Sequence, residues 1–83
     1  MIPKERAELE NILNIYRRQK AKTESSIEEY KAQIEELQIQ SEQYPGNEEV
    51  QQELSGTKET LRKVQESYEL VQSKISGIEW LLD

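Results

Sequence analysis

The chain contains no cysteine and no histidine, which excludes disulfide frameworks, thiolate nucleophiles and the usual zinc sites. Phenylalanine is also absent, and one tryptophan and four tyrosines are the only aromatic residues, leaving little with which to fill a compact globular core. Two prolines and three glycines in 83 residues leave long stretches free of helix breakers. Nowhere do eighteen apolar residues run together, and Met1-Ile2-Pro3-Lys4-Glu5 is not followed by the apolar segment of a signal peptide. The expectation is a cytoplasmic chain with no membrane attachment. Cations are outnumbered 11 to 17, a net charge of −6, so direct nucleic-acid binding, which needs clustered Lys and Arg, is not expected.

What the chain does have is apolar residues at regular spacing. They make up only 34% of it, matched by 34% charged residues, a balance that would favour disorder if the apolar positions were scattered. Instead Leu9, Leu13, Tyr16, Lys20, Thr23, Ile27, Tyr30, Ile34, Leu37, Ser41 and Tyr44 alternate steps of four and three, the d and a positions of a heptad. A second run, Val50, Leu54, Thr57, Leu61, Val64, Tyr68, Val71, Ile75, Ile78 and Leu82, keeps the same spacing with fewer polar members.

Between the two runs lies Tyr44-Pro45-Gly46-Asn47. Pro45 keeps Tyr44 out of the α region, Gly46 suits the positive φ of a type II turn, and Asn47 is a favoured N-cap followed by Glu48 and Glu49. These signals predict one helical hairpin over residues 1–83, with a helix at about 3–43, a turn at 44–47 and a helix at about 48–82. In an antiparallel pair a faces d, and a pairing in which residue numbers add to 91 puts the midpoint between Pro45 and Gly46. The fold class is thus all-α, an antiparallel two-helix coiled-coil hairpin.

A two-helix hairpin buries one stripe per helix, so apolar residues off the seam are informative. Ile12 and Leu81 are g positions, and Ile15, Leu70 and Gly77 are c positions, which share one flank near the open end. This second stripe is the candidate oligomer or partner interface and predicts dimerisation into a four-helix bundle. Trp80, at an f position, is a candidate partner anchor, and Lys20 and Thr23 form a polar interruption of the seam. Arg17, Arg18, Lys20 and Lys22 spread over several faces as a solvated surface. Glu28, Glu29, Glu35, Glu36, Glu42, Glu48, Glu49 and Glu53 make the tip acidic.

No catalytic, cofactor-binding or metal-binding residues are identified. Adjacent carboxylates such as Glu28 and Glu29 point apart on a helix, and a di-metal bundle would need Glu-x-x-His. The expected function is non-enzymatic: a small oligomeric hairpin, a regulator or inhibitor acting on an unidentified larger protein. Its alternatives are an acidic decoy for a nucleic-acid-binding site and a scaffolding or chaperone-type assembly factor.

Overall fold

A computed structural model describes residues 2–83, which form two antiparallel α-helices: α1, Pro3–Gln43, and α2, Glu48–Leu82. The first helix begins on Pro3, where a missing N–H costs nothing, and Ile2 contributes only its carbonyl, which accepts from the Arg6 N–H at 3.1 Å. It ends where Pro45 forbids continuation. Tyr44 leaves the helical region at φ −128° and ψ 67°, while its N–H still donates to Gln40 O at 2.9 Å.

The Tyr44 carbonyl then accepts from the Asn47 N–H at 3.0 Å, closing a four-residue turn. Its type differs from the expectation, because Gly46 does not take a positive φ. A type II turn requires one, so that reading is corrected. Proline at the second position suits a type I turn equally well, and type I makes no demand on glycine. Asn47 caps α2 as expected: its Oδ1 accepts from the N–H groups of Glu49 at 3.1 Å and Val50 at 3.3 Å. Glu48 and Glu49 lie in the first turn, at the positive end of the helix dipole.

The 41 residues of α1 at about 1.5 Å each account for the 64 Å length of a hairpin only 16 by 14 Å in cross-section. Leu13, Ile27, Leu37 and Ile75 are its buried residues, and the other heptad positions are half-buried. Tyr44 departs from this pattern. It is 62% exposed because the chain has left the helix by that point, so the last seam position of the first run is lost. Off the seam, only Ser26 and Gln40 are less than exposed among the described residues.

Cross-helix contacts follow the pairing around 91. Tyr68 with Glu24, Gln51 with Ser41 and Lys74 with Tyr16 each fall within one residue of it. The longer side chains of Arg6, Arg17 and Lys20 reach three to five residues away, to Leu82, Glu79 and Tyr68. Polar seam residues satisfy themselves locally. Thr23 donates to Gln19 O at 2.7 Å, Thr57 donates to Glu53 O at 2.8 Å, and Ser41 accepts from Gln51 Nε2.

Candidate interaction surface

The open end of the hairpin has two unlike flanks, and the heptad assigns each residue to one of them. On the e side, Arg17 and Glu79 form a cross-helix ion pair at 3.6 Å. Nearby, Arg6 Nη1 donates to the Leu82 carbonyl at 3.1 Å, placing a cation against the negative C-terminal end of α2. This side is closed by polar contacts between the two chain ends.

The g and c side carries the apolar residues identified from spacing. Ile12 is 41% exposed, Ile15 52%, Leu70 57% and Leu81 51%. Each is a large side chain held in water by a rigid helix, although the seam beside it is covered. Gly77 lies among them with no heavy atom within 4 Å of where a Cβ would stand, so it forms an open notch in the stripe. Lys74 borders the notch and folds its stem across the seam edge, with Nζ 5.4 Å from the centroid of the Tyr16 ring. Trp80 is 78% exposed on the outer face of α2.

Midway along the hairpin, the polar interruption forms a network. Lys20 Nζ sits 6.0 Å from the Tyr68 ring centroid, the Tyr68 hydroxyl donates to Glu24 Oε1 at 2.8 Å, and Gln72 Nε2 donates to the same hydroxyl at 3.2 Å. The hydrogen bond to Glu24 pushes the Tyr68 phenol up from its ordinary value, with partial burial and the Glu24 charge adding to the effect. A shallow groove open to solvent runs beside this network, lined on its walls by Glu28, Lys31, Gln65 and Glu69. It encloses nothing and assembles no nucleophile with a base.

Two elements of this surface escaped the sequence reading. Arg6 occupies an a position one step before Leu9, and a charged residue there gave no apolar signal. The Lys20, Glu24 and Tyr68 arrangement was missed because the pairing of the helices does not say which way the Tyr68 side chain turns or that Glu24, an e residue, meets its hydroxyl. The acidic residues of the distal half are exposed, and on α1 all five, Glu28, Glu29, Glu35, Glu36 and Glu42, fall at b and c positions of the outer face. Among the described residues, no group of three or more acidic side chains is placed to hold a metal ion, and no helix is long and apolar enough to cross a membrane. Comparison with protein-family models, curated proteins and solved structures finds no match.

Proposed function

We propose that the protein acts without catalysis in the cytoplasm, as a hairpin that self-associates through its open-end flank into a four-helix dimer and regulates or inhibits a larger protein by binding it. The observation that carries this reading is the exposed stripe of Ile12, Ile15, Leu70 and Leu81 around the Gly77 notch. Burying such side chains is worth about 1.5 to 3 kcal/mol each before association costs.

The hairpin's surface supports the same reading. It exposes 6321 Å², whereas a compact monomer of 9.8 kDa exposes about 5,200 Å². Four buried side chains are a thin core for two long helices, and a second hairpin would supply the missing cover.

Sedimentation equilibrium tests the proposal. The wild-type chain should be dimeric at tens of micromolar, and Ile12→Glu with Leu81→Glu should give a helical monomer of reduced stability. A monomeric wild type, or a double variant with the wild-type mass, removes the flank as a self-association surface.

The acidic distal half favours a second reading, a decoy that occupies a nucleic-acid-binding site on another protein. Partner binding that collapses with added salt would support the decoy, and binding that depends on Ile12 and Leu81 would support the self-associating regulator.

A further inference from the structure

We propose that two hairpins pair antiparallel and staggered, flank against flank about a two-fold axis at the level of Ile15 and Ile75, with their acidic ends pointing in opposite directions. This rests on the self-association proposed above and adds its orientation and register.

The orientation comes from the distribution of charge. Residues 25–67, the distal half, hold ten carboxylates and four cations, whereas residues 1–24 and 68–83 together hold seven of each. The entire net charge of −6 therefore belongs to the distal half, and the open half is neutral. Parallel packing along the full length would superpose two such distal halves, with Glu36 of one copy level with Glu53 of the other. Turning one copy end for end joins the two neutral halves and separates the charged ones.

The position of the axis comes from two independent matches. On α1, Glu8 and Lys22 lie seven residues either side of Ile15, all three at c positions. A two-fold axis at Ile15 sets that residue against its own copy and each Glu8 against Lys22 of the second copy. On α2, Leu70 and Leu81 share a midpoint with Lys74 and Gly77, between Ile75 and Ser76. That midpoint is the same level of the hairpin, because Lys74 already lies over Tyr16. Leu81 then packs on Leu70 of the second copy, and the Gly77 notch receives the stem of its Lys74.

The contact is large enough to hold. An overlap of about 30 residues is about 45 Å at the helical rise, and across the 16 Å width of the hairpin it covers about 700 Å² per copy, close to a standard stable interface. The product is a double-ended rod whose two acidic tips stand about 90 Å apart, thirty residues of helix on either side of the axis. Such an assembly presents two identical ends and engages a repeated or paired target with both.

Disulfide trapping tests the arrangement in the whole chain, which has no cysteine of its own. Glu8→Cys, Lys22→Cys and the double variant are oxidised under native conditions, alongside sedimentation equilibrium of the wild type. The two positions are about 21 Å apart along one helix, too far to bridge within a chain. The double variant should form covalent dimers at least tenfold faster than either single variant. If the single variants crosslink to themselves as fast as the double variant crosslinks, Glu8 does not face Lys22 of the second copy, and the antiparallel arrangement is overturned while self-association stands. A dimeric wild type with no crosslinking in any variant overturns the axis position. A monomeric wild type at tens of micromolar removes the self-association on which the arrangement rests.

Discussion

Tyr68 is the seam residue whose chemistry depends most on its neighbours. Its hydroxyl donates to the Glu24 carboxylate, and a phenolate there would lose that bond and meet the carboxylate charge, so its pKa in the folded chain is raised. A group with a raised folded pKa favours the fold while it is protonated in both states, and loses that contribution as pH climbs from its unfolded value, about 10, through the folded one. The wild-type chain should therefore lose more thermal stability between about pH 9 and pH 11 than Tyr68→Phe does. Parallel melting profiles across that range would show that the Glu24 contact contributes nothing. The hydrogen bond itself was not legible in the sequence. Spacing placed Tyr68 on the seam with Thr23 across from it and Lys20 across from Val71, but Glu24 is an e residue, and nothing in a heptad says which way a phenol turns. Arg6 was hidden for the opposite reason: it sits on the apolar period but is charged, and only the nearness of the Leu82 carbonyl explains its place.

At the level of elements, the boundaries were readable because each is set by residues with little conformational choice. Pro45 cannot continue α1, and Asn47 caps α2 through its own side chain. The turn type was not readable, because proline at its second position fits types I and II alike, and glycine at the third permits a positive φ without requiring it. The negative φ of Gly46 has a measurable consequence. With no strained backbone to relieve and nothing within 4 Å of its Cβ position, Gly46→Ala should stabilise the hairpin by about 0.4 to 1 kcal/mol, chiefly by restricting the unfolded chain. A urea midpoint shifted upward is the expected result. A shift downward by more than that amount would mean that a left-handed residue is needed at the turn.

On the scale of the whole molecule, the stripe of flank residues was legible because leucine and isoleucine at c and g positions have no seam to enter. Its occupant was not, since heptad letters carry no information about a second chain. Gly56 and Gly77 offer an internal comparison that separates helix propensity from contact. Both are c positions of α2, and both have open space at the Cβ position, but Gly56 lies in the acidic half and Gly77 in the neutral one. In a monomer each change to alanine should add about 1 kcal/mol, a gain that depends only on the helix. When two hairpins pair, Gly56 remains in water, whereas a methyl group at Gly77 stands where the Lys74 stem of the second copy would lie. Because dimerisation couples stability to protein concentration, the wild-type melting temperature should rise on concentration. Gly56→Ala should lie above wild type by a constant margin at every concentration. Gly77→Ala should match it in dilute solution and fall behind as the protein is concentrated, because its dimer is the weaker one. Equal margins for the two variants throughout a hundredfold range of concentration would place Gly77 outside any contact between hairpins and leave its notch open to a different partner.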